Sequence, residues 1–172
     1  MSEVAKEDAA AGGDDAAYRA MSARAQGTNV NPQTLLATDY LNHFNEIVMM
    51  LEMIPDMPEC FEEARAWRPK SYRDHFRDSS VHDRELAIDA YDVVPDRYRR
   101  PFEEIIGHMD RLVATSLHHI GELIARDDAV DLRQFCGTAS RRLQTLMDHA
   151  SAIIHGSEKV LAQTEIDGFI GG

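Results

Sequence analysis

Residues 132–160 carry a seam that few folds can accommodate. Leu132, Cys136, Ala139, Leu143, Leu146, Ala150, Ile153, Ser157 and Val160 follow one another in steps of four and three without a slip. That spacing lines them along one stripe of an α-helix, and so long an apolar stripe must be covered by other helices. Ala139 and Ala150 are small enough to let a neighbour come close. A second run predicts a helix from Pro101 to about Ala125: Phe102, Ile105, Ile106, Met109, Leu112, Val113, Leu117, Ile120 and Ile124. Only the Asp127-Asp128 corner lies between the two runs. A connection that short folds its helices back into an antiparallel hairpin.

A third run lies upstream. Asn31 suits a helix N-cap and Pro32 a first helical turn. Leu36, Tyr40, Phe44, Ile47, Val48, Leu51 and Ile54 then recur at helical spacing until Pro55 and Pro58 stop the pattern. Between residues 55 and 100, four prolines cut the chain into short pieces: Pro55, Pro58, Pro69 and Pro95. Phe61–Trp67 and Glu85–Val93 are expected as short helices, with Tyr72, His75 and Phe76 as an irregular lid on one end of the bundle. Residues 1–30 are rich in Ala, Gly, Asp and Glu and nearly lack large apolar groups, so a disordered tail is expected there, with at most a transient helix at Ala17–Ala25. No stretch alternates with the period of two that a strand needs. The expectation is an all-α chain: an antiparallel helical bundle of three long helices over 31–160. It has a short-helix insertion at 55–100, a tail at 1–30 and a separate peptide at 161–172.

Charge narrows the partners. Eighteen Lys and Arg stand against 30 Asp and Glu in 172 residues, a net charge of -12. Such a chain repels nucleic acid and anionic lipid, so neither is expected as a partner. A basic protein surface is favoured. Cys60 and Cys136 form no C-x-x-C pair and read as reduced thiols. Residues 1–13 lack an apolar signal core, and no apolar run reaches about eighteen residues. A cytoplasmic location follows as an expectation. The stripe at 132–160, if left uncovered, would make a homodimer a further option.

The pattern changes after Val160. Leu161, Gln163, Glu165, Ile166, Asp167, Phe169 and Ile170 set acidic groups around apolar ones, and Gly171-Gly172 then stop any helix. Coiled as a helix, Ile166, Phe169 and Ile170 share a face. That is the layout of a peptide that lies in another protein's groove. The stretch Leu161-Ala162-Gln163-Thr164-Glu165-Ile166-Asp167-Gly168-Phe169-Ile170 resembles the docking peptide of the flagellar motor switch protein FliM. Its pattern is roughly Leu-Ser/Asn-Gln-x-Glu-Ile-Asp-x-Leu-Leu. Chemotaxis phosphatases of the CheZ type similarly place an acidic, amphipathic peptide behind a long helical hairpin. The resemblance implies a CheY-like response regulator as partner and a role in bacterial chemotaxis or two-component signalling. The same apolar residues would also serve to fold back and close the bundle end.

Catalysis on such a partner would need an acid and an amide one helical turn apart. The amide orients a water and the acid meets a basic group in the receiver. The motifs of the known phosphatases, Asp-x-x-x-Gln and Glu-x-x-Asn, do not occur. The nearest pairs are Asp39 with Asn42 and Asp131 with Gln134. Asp39 and Asn42 are the catalytic candidates if the chain is a phosphatase of a phosphorylated receiver. Their alternative role is the solvated edge of an apolar stripe.

Eight histidines raise a metal-binding bundle, haemerythrin-like or di-iron, as a third class. A di-iron bundle needs Glu-x-x-His on two helices, and no histidine here has a glutamate three places before it. Of a haemerythrin-like set only His118-x-x-x-Glu122 is present. His43, Glu104, His108, His119 and His149 lack ligand spacing, so no metal and no cofactor is expected. Phosphotransfer through His118 or His119 lacks the lysine that follows the histidine in such domains.

Overall fold

A computed structural model describes the backbone of residues 4–157 and the side chains from residue 13 onward. Among the described residues the chain is all-helical, with seven α-helices and no strand. The two longest are α6 (Asp96–Ala125) and α7 (Ala129–Ile154), packed on each other across the turn at 126–128. Asp127 takes a left-handed φ of 55° in that turn. The Asp128 side chain accepts from the Asp131 backbone N–H at 3.1 Å and caps α7. The hairpin is therefore built as its short corner requires.

The seam behaves as its spacing dictates. Leu132, Cys136, Ala139, Leu143, Leu146, Ala150 and Ile153 are all buried, none more than 4% exposed. What covers them is α6 on one side and α2 (Asn42–Met53) on the other, both from the same chain. The stripe from Leu132 to Ile153 is thus taken up internally; Val160, its last member, lies outside the described residues. Polar groups fix the α2–α7 register: Glu52 Oε1 accepts from Ser140 Oγ at 2.9 Å and from Gln144 Nε2 at 3.2 Å. Met49, Met53 and Met57 lie exposed on and just beyond α2.

Several boundaries differ from the sequence reading, among them the short helices of the insertion, found at Phe61–Ala64 and Arg84–Tyr91 rather than Phe61–Trp67 and Glu85–Val93. The helix expected from Asn31 is absent up to residue 37; a short 3-10 turn at Thr38–Leu41 leads into a twelve-residue α2. Asn31 does cap, with Oδ1 accepting from the Gln33 and Thr34 N–H groups at 2.8 and 3.0 Å. The turn then closes on itself because Leu35 adopts φ 62°, a left-handed conformation that a leucine rarely takes. Both Leu35 and Leu36 are thereby driven into the core, and neither keeps any exposed surface.

Residues 1–30 are not a tail throughout. Val4–Ala25 form α1, and Ala25 and Val30 are buried. Tyr18 OH donates to the Gln33 carbonyl at 2.7 Å and ties α1 to the loop after it. Alanine-rich sequence has the highest helix propensity, and a few anchors hold such a segment in place.

Helix α6 begins at Asp96 and keeps Pro101 inside it, because Tyr98 is buried and its hydroxyl accepts from Gln33 Nε2 at 2.7 Å. Helix α7 stops at Ile154, short of Ser157. Gly156 has φ 107°, Gly156 N–H bonds Ile153 O at 3.0 Å and Ser157 N–H bonds Ala152 O at 2.9 Å. This bond pair around a left-handed glycine is the Schellman ending of a helix.

The insertion folds as α3 (Phe61–Ala64), α4 (Tyr72–Asp78) and α5 (Arg84–Tyr91). The expected irregular lid is helix α4. Ser71 caps it by accepting from Asp74 N–H at 3.2 Å, and Tyr72 and Phe76 are buried beneath it.

Candidate functional site

The insertion meets the hairpin through aromatic rings. Tyr40 comes from the 3-10 turn, His43 and Phe44 from α2, Tyr72 and His75 from α4, and Phe102 from α6. Tyr40 lies 5.4 Å from Tyr72 and 5.9 Å from Phe102 between ring centroids. Tyr72 stacks on Tyr91 at 4.6 Å. Their hydroxyls are anchored: Tyr40 OH donates to Lys70 O at 2.6 Å, and Tyr72 OH accepts from Ala37 N–H at 2.9 Å. Paired rings of this kind add about 1 kcal/mol each beyond their burial.

His43 stacks on Trp67 at 4.5 Å, and Trp67 Nε1 donates to the His43 carbonyl at 3.2 Å. His43 Nε2 is buried without a hydrogen-bond partner. Burial, with His75 and Lys70 close by, holds the ring neutral down to about pH 4. The same desolvation lowers His75 below the ordinary histidine range, against the favourable backbone bond to Asp39.

Beside this cluster a cleft of about 590 Å³ opens between α4, the end of α5 and the middle of α6. Tyr40, Tyr72 and Phe102 form its floor. Its α4 side carries Arg73 and Arg77, with Lys70 just before the helix. Each has a carboxylate already: Lys70 pairs with Asp78 at 3.0 Å, Arg73 with Asp92 and Arg77 with Asp74 at 2.7 Å. The α6 side carries Glu103, Gly107 and Asp110. Glu103 accepts from Tyr91 OH at 2.7 Å. Asp110 differs, since its Oδ1 is buried with no hydrogen-bond partner. Burial pushes this carboxyl up to about 6, against the pull of Arg111.

The residues singled out in the sequence lie elsewhere. Asp39 sits in the 3-10 turn and Asn42 opens α2. Asp39 Oδ2 accepts from Asn29 Nδ2 at 2.6 Å, and Asn42 Oδ1 accepts from Asn45 Nδ2 at 3.2 Å. Neither lines the cleft. Asp131 lies in the first turn of α7, as expected of a helix start, and its carboxyl is raised above the usual range by a hydrogen bond with the Asp128 carboxylate and by that group's charge. The candidate docking residues Leu161, Gln163, Glu165, Ile166, Asp167, Phe169 and Ile170 lie outside the described residues.

His118 and His119 both reach Glu122, at 3.4 and 3.3 Å, on the exposed face of α6. His119 also packs edge-on against Phe135 at 4.5 Å. Among the described residues no group of three or more His, Cys, Asp or Glu is placed to hold a metal ion, and no helix is long and apolar enough to cross a membrane.

Sequence reading missed the cleft because its parts come from residues 40, 70–77, 91 and 102–110, with no local pattern joining them. The one local signal was Gly107, an unexplained glycine in mid-helix. No family model, no curated protein and no solved structure matches this chain.

Proposed function

We propose that the chain is a helical binding module of bacterial two-component or chemotaxis signalling, in which residues 161–170 dock into a groove on a CheY-like receiver. The observation that carries this reading is how α7 ends. Ile154 O accepts from Thr34 Oγ1 at 2.6 Å, and the Gln33 side chain lies against Gly156. Residues 33–34 thus cover that end of the helix, which leaves the apolar groups of 161–170 available for the docking role proposed for them. Those groups keep the i, i+3, i+4 spacing of a groove-binding helix. Their flanking carboxylates suit a basic rim and would speed encounter more than they tighten the complex. The reading places the protein in the cytoplasm, where receivers work.

The test is a titration of phosphorylated and unphosphorylated CheY against the chain with and without residues 161–172. Binding that favours the phosphorylated form and vanishes on truncation is expected. Ile166→Ala in the full chain should weaken it about 20-fold, the loss of one buried aliphatic anchor. Equal binding by the truncated chain, or none by either, rejects the proposal. Asn42→Ala should leave the lifetime of the receiver's phosphate unchanged. Asn42 and Asp39 are held by Asn45 and Asn29 rather than presented together, so the phosphatase alternative gains no support.

A further inference from the structure

We propose that Met49, Met53 and Met57 hold a soft monovalent metal ion, Cu(I), through their thioether sulfurs, with Met53 as the central ligand. The inference rests on one ridge of α2 and the turn after it, and does not depend on the docking peptide.

Core packing does not account for these three side chains. Met49 keeps 59% of its surface exposed, and Met53 and Met57 keep 45% each. They are three of the four large apolar side chains left exposed among the described residues. Met50, beside them, packs against the core instead. The backbone sets the three in line. Met49 and Met53 stand four apart in α2, one above the other. Past the end of the helix the Ile54 N–H still donates to Met50 O at 3.1 Å and the Met57 N–H to Met53 O at 2.9 Å, so Met57 continues the line. Neighbours at this spacing have Cβ atoms about 5–6 Å apart. Methionine is unbranched with three rotatable bonds, so Met49 and Met57 can bring their sulfurs to an ion held over Met53.

The chemistry of the ridge selects the metal. A thioether is a soft, uncharged donor that suits Cu(I), whereas Mg(II), Ca(II) and Mn(II) prefer oxygen. It also takes up no proton near neutral pH, so mild acid does not compete for it as it does for an imidazole ligand. The surroundings favour positive charge. Glu46, Glu52, Asp56 and Glu59 are exposed, each within a turn of one of the three methionines. Arg133, which reaches this stretch from α7, is taken up by Asp56.

The probe is Ag(I), as soft as Cu(I) but without its redox chemistry, added in chloride-free buffer. The protein is the full chain carrying Cys60→Ser, so that the half-buried thiol does not compete; Cys136 is fully buried. Carbon spectra of the methionine ε-methyl groups read the site directly. One equivalent of Ag(I) should shift the Met49, Met53 and Met57 signals and leave those of the buried Met109 and Met147 in place. The shifts should be the same at pH 7 and pH 5.5, and Zn(II) should cause none of them. Met53→Leu keeps the volume and apolar character of an exposed side chain, so the fold should stand. It should weaken Ag(I) binding at least about 10-fold, a loss that even an outer-shell change brings at a metal site. Met49→Leu and Met57→Leu should each weaken it less. Cu(I), titrated anaerobically against a coloured chelator, should lose affinity in the same order. Methyl signals unmoved by excess Ag(I), shifts that vanish at pH 5.5, or full affinity in the Met53→Leu chain overturns the proposal.

Discussion

Thr34→Val is expected to cost about 3 kcal/mol of folding stability, although it changes one hydroxyl to a methyl of nearly the same size. Thr34 is fully buried, and its Oγ1 serves both neighbours: it donates to Ile154 O at 2.6 Å and accepts from Leu36 N–H at 3.3 Å. Valine leaves a buried carbonyl and a buried N–H unpaired, each costing about 1–3 kcal/mol. Thr34→Ser keeps the hydroxyl and loses only a methyl group, so it should cost about 1 kcal/mol. Urea unfolding of both variants separates the two contributions, through the midpoint at constant slope. A Thr34→Val protein as stable as the Thr34→Ser protein would show that the 31–37 loop does not hold the end of α7.

The second large effect is a pair of opposed acid responses. In the folded protein His43 stays neutral to about pH 4 instead of the ordinary 6.5. Between those values the unfolded chain binds a proton that the folded one refuses. Lowering the pH from 7 to 4 therefore favours unfolding, by about 3 kcal/mol. Asp110 acts the other way. Its folded carboxyl takes up a proton near pH 6, its unfolded one only near 3.8. Acidification over that window favours folding, by about 2 kcal/mol after allowing for solvent screening in the open cleft. His75 is shifted in the same direction as His43 and adds to its side.

The native protein should thus show only a modest loss at low pH, and single variants should uncover the parts. Asp110→Asn should lose about 2 kcal/mol more than native between pH 7 and 4. His43→Phe, which keeps a ring on Trp67, should lose about 3 kcal/mol less. Urea midpoints at four pH values measure both differences. Parallel curves for native and variant chains would mean that neither group is desolvated as argued.

The hairpin was legible because helices buried along one stripe leave an apolar period, and α6 and α7 keep theirs over many turns. Asn31 was legible as a cap, but nothing nearby announces that Leu35 will turn left-handed. That choice is made by what the loop reaches, Ile154, Tyr72 and Tyr98, all distant in sequence. Helix α1 lacks an apolar stripe, so composition alone suggested a tail. In the cleft, the ring floor comes from Tyr40, Tyr72 and Phe102, ordinary core residues when read singly. Asp110 is one acid among many on α6, and its burial depends on tertiary packing that no local pattern announces.

The contact between Thr34 and Ile154 joins residues 120 apart in the chain, which has a consequence in time. The α6–α7 hairpin closes across a tight corner and can form early, whereas a loop spanning most of the protein carries a larger entropic barrier. The 31–37 segment should therefore lock last and release first. Thr34→Val should steepen nothing in the refolding limb of the chevron, and nearly all of its effect should emerge as faster unfolding.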